Sequence, residues 1–197
     1  MTRDPSLYTW WLVSRAAGVT AFALSSASVI LGLSMAGKLA RRPGAARRWR
    51  SLHEHLAVGT LLAVAIHGAA LLGDHWMHPG VSGILVPFQM SYRPLATGIG
   101  ILAAYGMALF GLTFYARRRI GTRLWRAAHR FTIVFWGLAA AHAFTAGTDA
   151  STVWMRVILG ASGAAITVLL VNRVFAGRRR PVPARRPTRP AVEGARP

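Results

Sequence analysis

The sequence predicts an all-α membrane protein: a bundle of about five transmembrane helices with its N-terminus outside and its C-terminus in the cytoplasm. Three observations carry that expectation. Of the 197 residues, 53% are hydrophobic. Those residues gather in five stretches, each near the roughly 20 residues needed to cross a bilayer core of about 30 Å. The charges are segregated from them, on alternate connections, and no strand-like alternation is present.

The first stretch, Tyr8–Ala36, is long enough to span with tilt. The residues before it lack a basic n-region, so it reads as a mature membrane helix rather than a cleaved signal peptide. Residues 38–50 (KLARRPGAARRWR) follow, with six cations and no acid. The second stretch, Leu52–Leu72, leads into the longest connection, 73–94 (GDHWMHPGVSGILVPFQMSYRP). Its Trp76, Phe88 and Tyr92 suit a segment lying in the membrane interface, expected to cap the outer mouth. Leu95–Tyr115 is the third stretch. Another run of six cations without an acid, 116–130 (ARRRIGTRLWRAAHR), separates its core from that of the fourth, Trp125–Ala146. The fifth is Val153–Phe175. Punctuation falls between the stretches at Pro43–Gly44, Pro79–Gly80 and Gly147. The expected organisation is a membrane domain over 1–176 and a disordered, Arg/Pro-rich cytoplasmic tail over 177–197, whose natural contact is anionic lipid.

The net charge of +19, from 24 Lys+Arg against 5 Asp+Glu, would suit a nucleic-acid binder if it sat on a folded soluble module. It does not: twenty of the cations lie at 38–50, at 116–130 and from Arg173 onward. Arg3, Arg15, Arg93 and Arg156 share the opposite side with Asp4, Asp74 and Asp149. The basic connections mark the cytoplasmic face, and nucleic acid is excluded as a partner. The chain has no Cys, which removes disulfides, thiolate metal sites and cysteine nucleophiles.

Histidine is then the residue type left for chemistry. The second stretch holds His53 and His67, 14 residues apart, which places them about 21 Å apart in height and within about 40° of one face. The fourth holds His129 and His142, 13 apart; on an ideal helix these differ by about 140° in azimuth, so a distortion must supply the rest. Both stretches start on the cytoplasmic side and run parallel. His53 can therefore face His129 at the inner level, and His67 can face His142 at the outer level. Two neutral imidazoles without carboxylate or thiolate suit a haem iron better than zinc, which takes four protein or water ligands. Small residues beside them (Gly59, Ala63, Gly68, Ala139, Ala140, Ala141) leave room for a porphyrin. The competing reading is that the histidines make interhelical hydrogen bonds in a haem-free scaffold or small transporter. His55 competes with His53 as the inner ligand. His75 and His78 form an i, i+3 pair that suits either a transition metal or an exposed loop. Arg15, within the outer half of the first stretch, needs an anion or the interface; a haem propionate is one such anion for it and for Arg156.

The segments SLHEHLAVGTLLAVAIHG, LVPFQMSYRP and WRAAHRFTIVFWGLAAAHAFTAGTD, with the SRAAG of the first stretch, resemble the ferric reductase-like transmembrane domain family. That family includes the membrane parts of ferric reductases and NADPH oxidases, and the haem-binding membrane subunit of a methionine sulfoxide reductase system. The resemblance covers about residues 10–175. It implies two b-type haems, His53 and His129 holding the inner one and His67 and His142 the outer one. Members that act alone continue into a flavin- and nicotinamide-binding module; no GxGxxG after a strand occurs here. The expected function is a di-haem electron carrier of the cytoplasmic membrane. A separate flavoprotein or quinol would feed it, and an external acceptor or periplasmic partner would receive the electrons.

Overall fold

Within a bilayer a helix satisfies every backbone polar group internally, and the computed structural model is helical wherever the apolar stretches run. It describes residues 8–37 and 45–178, with side chains to 175. The Pro43–Gly44 punctuation and the tail beyond 178 lie outside the described residues. The elements are α1 (Thr9–Ala36), α2 (Ala45–Ala70) closed by a 3-10 turn at Leu71–Gly73, α3 (Gly80–Leu85), α4 (Pro94–Ile120), α5 (Thr122–His129), α6 (Thr132–Ala146) and α7 (Val153–Arg178). No strand occurs among the described residues.

Among the described residues, four spans are long and apolar enough to cross a membrane: α1, Ala45–Gly73, α4 and Val153–Phe175. The fourth predicted stretch is divided. Its helix stops at His129 and restarts at Thr132, and α6 alone, at 15 residues, reaches only about 22 Å. Elsewhere the helices overrun the apolar stretches at their basic ends. α2 begins at Ala45 instead of Leu52, and α4 continues to Ile120 through Arg117, Arg118 and Arg119. Arginine is a good helix former, and cations in a last turn complement the C-terminal end of the helix dipole.

Packing divides the bundle into two antiparallel pairs. α1 lies along α2, and α4 lies along α6; α1 also touches α6 and carries α7 on another side. α2 and α6 are not packed against each other. The apolar core, Phe22, Leu33, Trp136, Met155 and Ile166, fills the space among α1, α6 and α7. Between helices in lipid there is no hydrophobic drive, so small and hydroxyl-bearing residues bring backbones close. α1 buries Ser14, Ala21, Ser25, Ser26 and Ser28 for that reason. Their hydroxyls are satisfied locally or across helices: Ser25 donates to the Phe22 carbonyl at 2.9 Å, and Trp136 Nε1 donates to Ser26 Oγ at 3.0 Å.

One end of the bundle gathers the start of α1, residues 71–93 and the turn at 147–152 (the loop end); the other gathers the start of α2 and residues 117–130 (the arginine end). The 73–94 connection is folded rather than loose. Buried Asp74 accepts the backbone N–H groups of Trp76 and Met77 at 2.9 and 2.7 Å. Tyr105 donates to the Leu85 carbonyl, and Arg93 donates to the Thr145 carbonyl. Arg93 takes a left-handed conformation, φ 44°, which turns the chain into Pro94 at the first position of α4, where a missing N–H costs nothing.

Candidate functional site

Imidazoles of α2 face imidazoles of α5 and α6 at two levels. The rings of His53 and His129 have centroids 6.1 Å apart at the arginine end, and those of His67 and His142 are 6.3 Å apart at the loop end. A metal–imidazole nitrogen bond of about 2.0 Å, plus the distance from that nitrogen to the ring centre on each side, puts two imidazoles on opposite sides of one metal ion at roughly 6 Å. Both pairs have that separation. Among the described residues no group of three or more His, Asp or Glu could hold a metal. A metal at either pair would therefore draw its remaining donors from a non-protein ligand, such as a macrocycle, and not from a four-residue zinc cage.

Each of the four rings is anchored from behind. Nδ1 of His53 lies 2.9 Å from the Ser28 carbonyl, that of His67 lies 2.8 Å from the Ser14 carbonyl, and that of His142 lies 2.8 Å from the Ala96 carbonyl. His129 Nδ1 sits farther off, 3.3 Å from the Phe110 carbonyl. A carbonyl only accepts, so each Nδ1 carries the hydrogen and each Nε2 keeps its lone pair free. This backbone second shell fixes ring and tautomer in metal-ligating histidines. Ser14 and Ser28 add their hydroxyls, each 3.1 Å from the Nδ1 it faces.

The anchors follow a register. The carbonyls of Ser14 and Ser28 are 14 residues apart on α1, as are those of Ala96 and Phe110 on α4. Fourteen residues are close to four helical turns, so each helix presents one acceptor per level on one face. Four residues after three of these acceptors stands a glycine: Gly18, Gly32 and Gly100. A Cβ there would lie 2.9 Å from His67 Nδ1, 3.1 Å from His53 Cε1 and 2.5 Å from His142 Nδ1 respectively. A helical carbonyl points along the axis toward the residue four positions on, so the missing side chain lets an imidazole reach it. At the fourth acceptor the corresponding residue is Phe114, and there the bond is longest.

The 13-residue spacing on the other partner is absorbed by the break between α5 and α6. Phe131 N donates to the Ala128 carbonyl at 2.9 Å, and Val134 N to the Phe131 carbonyl at 2.9 Å. Such i to i+3 winding advances about 120° per residue, some 20° more than an α-helix. The excess carries His142 toward the face that His129 occupies.

The other singled-out residues fall as follows. His55 is exposed, with Nδ1 on the Ser51 carbonyl of its own helix at 2.7 Å, and faces no second histidine. His75 and His78 are exposed on the loop end with ring centroids 6.5 Å apart. Arg15 meets an anion from its own chain: its Nε donates to Asp149 Oδ2 at 2.6 Å, its Nη2 pairs with Oδ1, and the guanidinium lies over Trp11, 5.2 Å from the ring centre. Arg156 donates from Nε to the Ala150 carbonyl at 3.2 Å. Both stand at the loop end, the level of His67 and His142. Sequence reasoning overlooked Ser14, Ser28, Gly18, Gly32 and Gly100. Their signal is present as a repeated S-x-x-x-G, SRAAG and SVILG, at the same 14-residue interval as His53 and His67.

Comparison with curated proteins and with solved structures finds no match. A family model described as ferric reductase like transmembrane component matches residues 17–140. That stretch contains His53, His67 and His129 and stops two residues before His142. It spans more than half of this helical membrane chain, which therefore belongs to the ferric reductase-like transmembrane component family.

Proposed function

We infer that this membrane electron-transfer component is a di-haem b-type cytochrome. It would carry electrons across the cytoplasmic membrane from a separate flavoprotein or quinol to an external acceptor. Domains of this family generally bind haem, and the carrying observation is the two pairs of facing imidazoles, 6.1 and 6.3 Å between centroids, across helices with little other packing between them. His53 and His129 would hold one haem, and His67 and His142 the other. When bound, haem iron supplies one-electron redox chemistry. The chain's own residues do the rest. The four Nδ1–carbonyl bonds keep each Nε2 directed as a neutral donor. Gly18, Gly32 and Gly100 admit the rings, and the apolar helices exclude water.

Positive-inside bias makes the arginine end cytoplasmic. The His53–His129 level is then the entry point and the His67–His142 level the exit. Arg15 and Arg156 stand at the exit level, and the N–H groups their present bonds leave over would meet haem propionates. Residues 1–176 form the haem-binding domain, and 177–197 a cytoplasmic tail against anionic lipid. Ferric iron, oxygen or a periplasmic oxidoreductase would take the electrons.

A second reading, a haem-free scaffold or small transporter held by interhelical histidine bonds, explains the Nδ1 contacts equally well. It gives no reason for the two imidazole pairs to stand 6.1 and 6.3 Å apart, the separation of two ligands on one metal ion. Liposomes enclosing ferricyanide, with dithionite added outside, separate the two. Protein-dependent loss of the ferricyanide colour, abolished by His53→Ala and by His142→Ala, is expected; leakage no faster than in protein-free liposomes would refute transmembrane electron transfer.

A further inference from the structure

His129 is the least well held of the four paired histidines, and its neighbour Trp125 explains how it is nevertheless fixed. Its Nδ1 contact is the longest, 3.3 Å. It has no serine hydroxyl beside it, unlike His53 and His67, and Phe114 stands where the other three acceptors have glycine. It is also the last residue of α5, where helix hydrogen bonding lapses. Against this ring lies the indole of Trp125, one turn earlier, with centroids 5.3 Å apart and planes 28° apart. Phe114 packs on the indole at 5.8 Å, and Arg117 caps Phe114, with Cζ 3.8 Å from its ring centre.

Trp125 Nε1 is the one buried side-chain nitrogen or oxygen without a hydrogen-bond partner among the described residues. Such groups are rare enough to require a reason, and the contacts that the indole makes within the chain are ring contacts, with His129 and with Phe114. Resting on the haem reading above, we propose that Trp125 is the positioning residue of His129. Its ring face sets the imidazole plane at the level where the glycine-and-carbonyl register is absent.

Two substitutions test this in the full chain purified with its haem. Trp125→Phe keeps an aromatic face and deletes the unpaired N–H. The low-spin electron paramagnetic resonance signals of both haems should stay as in the wild type. Trp125→Leu removes the face. The low-spin signal of one haem, the one lost in His129→Ala, should broaden or disappear while the other is unchanged. If Trp125→Leu is not recovered folded, the Trp125→Phe spectra decide alone, wild-type signals supporting the stacking role and altered ones overturning it. Wild-type signals in Trp125→Leu would overturn the proposal. So would Trp125→Phe damage matching that of Trp125→Leu, which would move the role to the N–H. A wild-type preparation without haem would instead refute the haem reading itself, and this inference with it.

Discussion

At the scale of single residues, the site is a matter of what stands behind each imidazole. The histidine pairs themselves were legible: spacing along two parallel helices put them at two matched depths, and His53 rather than His55 meets the opposing ring because His55 bonds back to its own helix. The glycines were not legible in the same way. SRAAG and SVILG are plain in the sequence, but their meaning depends on which helix α1 lies against, and no spacing along one chain segment states that. The register makes a sharp prediction. Gly100→Ala puts a methyl 2.5 Å from His142 Nδ1, closer than real side chains approach, so the ring must shift. The variant should lose much of the haem at the loop end while retaining the other. Gly160→Ala, where a methyl meets nothing within 4 Å, should keep both; haem-to-protein ratios of the two purified variants check this.

At the scale of elements, the helices and their order follow from apolar length, whereas their ends and the one interruption do not. Charged flanks read as connections in the sequence, yet arginine extends a helix as readily as it ends an apolar run, so α2 and α4 overrun. The division of the fourth stretch was foreshadowed by the 13-residue spacing, which no ideal helix reconciles with facing pairs; its location at 130–131 was not foreshadowed, because Arg130 and Phe131 carry no breaker signal. The turn at 147–152 is tied to α1 through Arg15 and Asp149, and the carboxylate is 8% exposed against 37% for the arginine side chain. Arg15→Ala leaves that buried carboxylate without its forked donor, a loss of about 1–3 kcal/mol. The exposed half of the pair argues for the lower part of that range. A lower thermal midpoint in detergent is expected for Arg15→Ala. Asp149→Asn, which keeps an acceptor and removes the charge, should fall between it and the wild type. Equal midpoints for all three would mean that the ion pair holds nothing.

At the scale of the whole molecule, α1 with α2 and α4 with α6 form the two most closely packed pairs, and the apolar core lies among α1, α6 and α7. The two imidazole pairs stand at two levels between α2 and the α5–α6 segment, the arrangement on which the haem reading rests. The charge pattern belongs to this scale too. A net charge of +19 in a 53% hydrophobic chain would, on the proposed reading, orient the bundle by the positive-inside bias and put the Trp125–His129 level on the side that receives electrons. The central claim is that each facing pair holds one haem. The reduced-minus-oxidised absorption spectrum of the detergent-purified protein, with haem counted per chain, tests it most directly when the wild type is compared with His53→Ala, His67→Ala and His55→Ala. Sharp low-spin bands with two haems per chain, falling to one in each of the first two variants and unchanged in the third, are predicted. A colourless wild type from haem-replete cells, or a haem count untouched by His53→Ala and His67→Ala, would contradict it.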